Sequence, residues 1–434
     1  MLNPSPRAAA AAGATRRRLE AVANRDAALL SIGTVASGVL AYVFNVLAAR
    51  TLGPEEYGPI AILWVLLFLL AVLLFRPLEQ TMARAVADGL ARGHDGRHAA
   101  RLIGRLGATV AAVAAIACLA AWGPLTDGLF AGHGALTAAL AAGLLGYGAS
   151  YMVRGLVGGV RWFGGYGLVL LWDGGVRVVL GLALLATASP AVAGAALVGA
   201  AFGGALAPLF AKDRARLGAI RGESGAEFDL AGAARFAVPA AVVALCEQVI
   251  VSGGPLLVLL EGGSEATTAA GVVFAATLLV RAPVFLFQGV AASLLPSLTT
   301  FHSRGDHAQV HRATLLVAGA IGVFAVTMAA AALVAGPQVM RLLYGHGFSA
   351  ARGDLALLAL GVGCFLAAST FSQAVLAQAR AGCAAAAWSL GAVAFVAIDL
   401  LAPGTPFHGV ALAFAGASGV VAALVFADVW RSRA

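Results

Sequence analysis

The chain has 434 residues, of which 61% are hydrophobic and only 11% charged. A water-soluble domain carries roughly 25% charged residues, so this composition excludes a soluble globule and defines an integral membrane protein. The formal net charge of +8 sits in basic loops with few aromatic residues and reads as a membrane-topology signal; nothing else in the sequence supports nucleic-acid binding.

A transmembrane helix needs about 20 apolar residues, and twelve such runs are predicted: 27–49, 59–84, 104–122, 135–157, 166–188, 191–210, 236–260, 268–296, 313–335, 355–378, 384–401 and 407–428. Before the first lies an Arg-rich tail, 1–26, with Arg7, Arg16, Arg17, Arg18 and Arg25. The first run is too long for the core of a cleaved signal, so it is expected to stay as a helix. Gly53-Pro54 ends it and Tyr57-Gly58 begins the second, with a tight turn between. Near the inner end of the second span, "FRPLEQ" places Arg76 and Glu79 around Pro77, a residue that removes a backbone donor and predicts a kink. Asp173 and Arg177 lie mid-span in the fifth run, four residues apart and so on one helix face.

The most polar stretch, 211–235, reads as a linker between two halves, 27–210 and 236–428, with 429–434 as a short C-terminal tail. The halves repeat weakly. "GLARGHDGRHAARLI" follows the second span and "TFHSRGDHAQVHRATLL" the eighth, each with Arg-Gly and then a His-x-x-x-His pair. His94 and His98 recur as His307 and His311, at an offset of 212–213 residues for the shared motif. The fold predicted is therefore all-α, two parallel six-helix repeats around a central cavity, with the substrate path between the halves. The paired histidines lack a third ligand and an intervening glutamate, so they read as solvated helix faces, and no metal is expected. Cys118, Cys246, Cys364 and Cys383 show no paired spacing and read as packing residues.

Arginine placement orients the chain. With the N-terminus inside, the tail and the loops near Arg92–Arg105 and Lys212–Arg235 are cytoplasmic, Arg50, Arg341 and Arg352 fall outside, and Arg177 and Arg281 lie within the membrane. Both termini are then cytoplasmic, and loops near Thr126, Gly263 and Gly404 are external. Trp122, Trp162, Trp388 and Trp430 fall near span ends, where interfacial anchors are expected.

Arg281 interrupts "TLLVRAPVFLFQ" in the eighth span, and Glu247 lies mid-span in the seventh. An ionisable group at the bilayer centre costs about 2.5–3.5 kcal/mol on insertion scales and is expected to face the bundle interior. Two readings stand for these charges. In one, Asp173 with Arg177 and Glu247 with Arg281 form two structural clasps. In the other, Arg281, Arg177 and Arg76 hold an anionic substrate, while Glu247, Asp173 and Glu79 serve as counter-ions or couple transport to an ion gradient. No Gly-rich loop is followed by Lys-Ser/Thr, so no nucleotide-hydrolysing activity or other cofactor is expected.

"NVLAARTLGPEEYG" (45–58), "RAPVFLFQGVAASLLPSLT" (281–299) and "LLYGHGF" (342–348) resemble the bacterial polysaccharide flippases of the O-antigen and capsule type. These belong to the multidrug/oligosaccharidyl-lipid/polysaccharide exporter superfamily, and the resemblance spans about 27–428. It implies a non-enzymatic, alternating-access flippase of the bacterial inner membrane. The substrate implied is an undecaprenyl-pyrophosphate-linked oligosaccharide carried from the inner to the outer leaflet. Partners implied are that lipid-linked glycan, membrane lipids, and a polysaccharide polymerase and glycosyltransferases. The same superfamily offers alternatives: a multidrug or toxin extruder, whose cationic substrates favour an acidic, aromatic cavity, and a lipid II flippase, which ordinarily has two further helices.

Overall fold

The computed structural model describes residues 6–92, 96–220, 230–263, 265–282, 307–377 and 380–431. Among them there are helices and turns and no strand. Chain order gives α1 (Pro6–Ala91), α2 (Arg97–Ala120), α3 (Trp122–Gly128), α4 (Gly134–Gly159), α5 (Phe163–Gly181), α6 (Leu184–Thr187) and α7 (Pro190–Leu206). After the linker come α8 (Leu230–Ser252), α9 (Gly254–Glu261), α10 (Ala266–Arg281), α11 (His307–Tyr344), α12 (Arg352–Ala377), α13 (Ala381–Leu401) and α14 (Pro406–Arg431).

Nine helices among the described residues are long and apolar enough to cross a membrane. One of these, Ala28–Ala91, has 64 residues. At 1.5 Å per residue that is about 96 Å, three times a hydrocarbon core of about 30 Å, so it must form two spans. The division falls at Gly53, whose φ of 74° and ψ of 173° are the sole non-helical angles within α1. A side chain disfavours that conformation and glycine does not. α8 and α9 form a further span, bent by 60° at Gly253. α10 is a shorter apolar helix, and 283–306, the rest of the predicted eighth span, lies outside the described residues. Among the described residues the first half therefore supplies six spans and the second five, with α10 as the described part of the predicted eighth span.

In the first half α5 packs along the first arm of α1 and α4 along the second, with α7 closing against α4 and α5. In the second, α12 lies between α11 and α14, and α13 packs on α8 and α14. The halves meet at the end that carries the Gly53 turn. Tyr57 packs on Phe274 and edge-on to Phe348, Trp64 reaches Phe274, and Tyr42 meets Tyr344. A Cβ built on Gly58 would collide with the Thr267 carbonyl oxygen, so only glycine permits this approach. Two of the stretches that carry the resemblance, 45–58 and 342–348, thus close one end of the molecule. Tyr57 donates to Asn45 Oδ1 at 3.0 Å, which holds the ring against the turn.

Several expectations change. At Pro77, where a kink is predicted, the backbone angles stay helical and α1 is not interrupted. The N-terminal tail is helical from Pro6, and its Asp26 pairs with Arg216 of the linker at 2.7 Å. A 3-10 segment, Ala207–Phe210, ends the sixth span, and a second, Lys212–Ile220, begins that linker. α11 runs well past the predicted 313–335 to Tyr344. Trp162 and Trp388 are buried core residues, with Trp388 donating to Ser372 Oγ at 2.8 Å, while Trp122 and Trp430 are exposed. Thr126 is not an exposed loop residue: it is buried in α3 and shares a 2.8 Å hydrogen bond with Thr137.

Candidate functional site

The predicted charges form three groups. On α5, the four-residue spacing brings Asp173 and Arg177 into a buried ion pair. Arg177 is 1% exposed. Its Nη2 donates to Asp173 Oδ2 and, at 3.0 Å, to the Tyr147 hydroxyl, which in turn donates to Asp173 Oδ1 at 3.0 Å. The guanidinium lies 4.7 Å from the Trp64 ring centre and 5.8 Å from that of Phe68. An aromatic face adds attraction for a cation that burial has stripped of water. Arg177 Nε has no partner among the described residues. This is the first predicted clasp, strengthened by a tyrosine from α4.

The second group lies toward the other end of the α1 arm. Arg76 Nη1 pairs with Glu79 Oε2 at 3.0 Å, and Tyr166 of α5 donates to Glu79 Oε1 at 2.7 Å. Arg154 of α4 stacks on Tyr151 with its Cζ 3.7 Å from the ring centre. It has no carboxylate within salt-bridge distance among the described residues, and its Nε has no partner there. Glu79 is the carboxylate whose charge acts on it.

The third group corrects the second predicted clasp. Glu247 and Arg281 form no ion pair among the described residues. Glu247 Oε1 instead accepts from Ser369 of α12 at 3.1 Å, and Arg281 Nη1 reaches the Val251 carbonyl at 3.5 Å. The reason is covalent. In a continuous helix the Val251 carbonyl would accept from residue 255, but that residue is proline and has no N–H. The break at Gly253 therefore leaves a bare carbonyl, and Arg281 takes it. The charges of Arg76 and Arg281 both act on Glu247 without touching it.

Arg76 and Glu79 from the first half thus share one electrostatic neighbourhood with Glu247 and Arg281 from the second. Arg154 connects this neighbourhood to the first clasp, because it also acts on Arg76 and borders a cavity of about 180 Å³ lined by Ser37, Trp64, Tyr147, Asp173 and Arg177. Four guanidinium groups face three carboxylates across the whole set, so the interior carries a net positive charge. Arg154 was masked in the sequence because it lies at the predicted inner end of a span, where basic residues are ordinary. The signal was the Tyr151-x-x-Arg154 spacing, which places ring and cation on one face. Tyr147, Tyr166 and Ser369 gave no signal, since single hydroxyls are common in apolar spans. Among the described residues no three His, Cys, Asp or Glu side chains gather as a metal site. His98 is exposed, His94 lies outside the described residues, and the side chains of His307 and His311 do too. All four cysteines are free thiols.

Solved structures of membrane transporters share this fold. An inward-facing multidrug resistance MATE family transporter of the MOP superfamily is 16% identical, covers 93% of this chain and 94% of its own, and superposes with a TM-score of 0.68. An outward-facing MATE family transporter is 14% identical over 95% and 96% of the two chains, with a TM-score of 0.65. A point mutant of the Vibrio cholerae MATE transporter VcmN is 14% identical over 95% and 98%, at 0.60. The chain is accordingly an all-α, multi-pass membrane protein with the twelve-helix, two-repeat fold of those transporters. In sequence it is similar to uncharacterized proteins of Mycobacterium bovis and Mycobacterium tuberculosis, each 28% identical over 352 residues, covering 78% of this chain and 77% of the relative. No family model matches.

Proposed function

We propose that the chain is an alternating-access flippase that carries an anionic, lipid-linked glycan from the inner to the outer leaflet of a bacterial inner membrane. The observation that carries this reading is the excess of guanidinium over carboxylate in the interior. Arg154 and Arg281, both half-buried, lack a carboxylate partner among the described residues, and a partly desolvated cation without a counter-charge is costly unless an anion visits it. A pyrophosphate group suits such a site, because a guanidinium presents a planar fork of donors to phosphate oxygens. The fold needs no nucleophile for this work, and no covalent step is involved.

The sequence topology places the Gly53 end outside, so contacts such as Tyr57 with Phe348 close the outer face, and the Arg76 and Glu79 end serves as the inner entry. Glu247, without a cationic contact of its own among the described residues, is the candidate for ion coupling. It lies on the first span of the second half, at the level where the halves face one another. Glycosyltransferases would load this lipid inside and a polymerase would drain it outside.

A multidrug extruder is the second reading, and the aromatic wall of Trp64 and Phe68 favours it, since organic cations bind ring faces. The two readings separate in proteoliposomes. Flipping of an undecaprenyl-pyrophosphate-linked oligosaccharide should fall at least tenfold in Arg281→Ala and in Arg154→Ala, with partial recovery in the lysine variants. Uptake of an organic cation such as ethidium, with no flipping by the wild type, would give the function to the extruder. Proton or sodium gradients of either sign test Glu247: flipping rates that ignore both, or respond alike in wild type and Glu247→Gln, would remove the coupling role.

A further inference from the structure

The cavity of about 180 Å³ lies within the first half, between both arms of α1, α4 and α5, and not between the halves. We propose that it is a binding pocket for one acidic sugar ring of a uronate type, a reading that rests on the flippase function proposed above and names the part of the substrate this half recognises.

Size comes first. A volume of 180 Å³ equals roughly six waters at about 30 Å³ each, too small for a drug-sized organic ligand, whose pockets run from about 300 Å³ upward. Chemistry comes next. A sugar ring offers C–H faces and a rim of hydroxyls that both donate and accept. Aromatic side chains that line the cavity meet the former: Trp64, Phe68, Tyr147 and Tyr151. For the rim there are an acceptor, Asp173, a donor, Arg177, and the hydroxyls of Ser37 and Ser150. The donors are not all in use. Among the described residues, Arg177 makes its hydrogen bonds through Nη2, and its Nε and the Nε of Arg154 have no partner.

Charge selects between kinds of ring. Asp173 is balanced by Arg177, and Arg154 adds a second cation, whose carboxylate neighbour Glu79 is already held by Arg76 and Tyr166. The pocket is therefore net positive, which repels an organic cation and favours a sugar with a carboxylate at the Arg154 side. Because every lining residue belongs to the first half, the ring stays held while the halves rock against each other.

The test uses the full chain in nanodiscs, titrated with glucuronate, galacturonate, glucose and tetraphenylphosphonium. Tryptophan emission is recorded in wild type and in Trp64→Phe, so that the difference reports Trp64. A saturable change with at least one uronate, at least tenfold tighter than with glucose, is the expected result. Arg154→Gln should abolish the preference over glucose, and Tyr147→Phe should weaken the uronates and glucose alike. Equal affinity for uronates and glucose, no saturable change with any sugar, or saturation by tetraphenylphosphonium at Trp64 would overturn the proposal. Flipping is measured in parallel. Arginine-dependent flipping without sugar binding discards the pocket and keeps the flippase, whereas sugar binding without flipping keeps the pocket and discards the flippase.

Discussion

Replacing Asp173 by asparagine leaves the Arg177 guanidinium, 1% exposed, with Tyr147 as its remaining polar partner. Removing one member of a buried ion pair costs about 3–5 kcal/mol, because the other charge stays desolvated. The surviving Tyr147 bond and the Trp64 face place the expected cost at the lower limit, about 3 kcal/mol, or roughly a hundredfold in the folding equilibrium. Arg177→Gln should cost about as much, since Asp173 then keeps one donor for two oxygens. The Asp173→Asn/Arg177→Gln double variant removes both charges and should be no less stable than either single, a coupling energy of about 3 kcal/mol or more. Equilibrium unfolding in mixed dodecylmaltoside and SDS micelles, followed by tryptophan emission, gives the three values. A double variant that loses the sum of the singles would refute the pair as an energetic unit.

Pro255→Ala supplies the N–H that Val251 lacks, so the 60° bend should straighten and release Arg281; spin labels at exposed Val238 and Leu260 should move apart by about 4 Å, a figure that follows from 1.5 Å per residue along the two arms. An unchanged distance would show that something other than the proline holds the bend. Gly58→Val places carbon where the Thr267 carbonyl sits and should wedge the halves apart. A cysteine at Ala270, fully buried in the parent, should then react with maleimide, and continued protection would mean that the contact yields elsewhere. For topology, cysteines at exposed Asp127, Gly263 and Gly404 should be labelled by an impermeant maleimide in intact cells and one at Arg92 should not; the reverse pattern inverts the orientation.

Helix number and the Asp173–Arg177 pair were legible in the sequence because each depends on one element: an apolar run of membrane length, or a spacing that matches the helical turn. Arg76 and Glu79 stand three residues apart and pair in the structure, where the sequence reading takes them only as a polar step around Pro77. The Glu247–Arg281 expectation failed because charges on different helices were paired by sign alone, while a proline four residues beyond Val251 had already offered the arginine a neutral acceptor. Arg154 was hidden by the topology rule itself, which accounts for any arginine at an inner helix end without asking what it stacks on. Trp162 and Trp388 misled similarly, since position along a helix predicts depth in the membrane and says nothing of which side faces lipid.

The turn at Gly53 has a mechanical meaning. A single non-helical residue joins two membrane-length arms, which leaves almost no slack between them. The arms behave as the tines of a stiff fork, and force applied to one is delivered to the other at the shared end. Parting the halves at this end would have to separate Tyr57 from Phe348 and Gly58 from Thr267, all of which sit on or against that fork. An opening that carried both arms together would turn the fork against α10 and α11, and the distant Arg76 and Glu79, on the second tine, would swing with it.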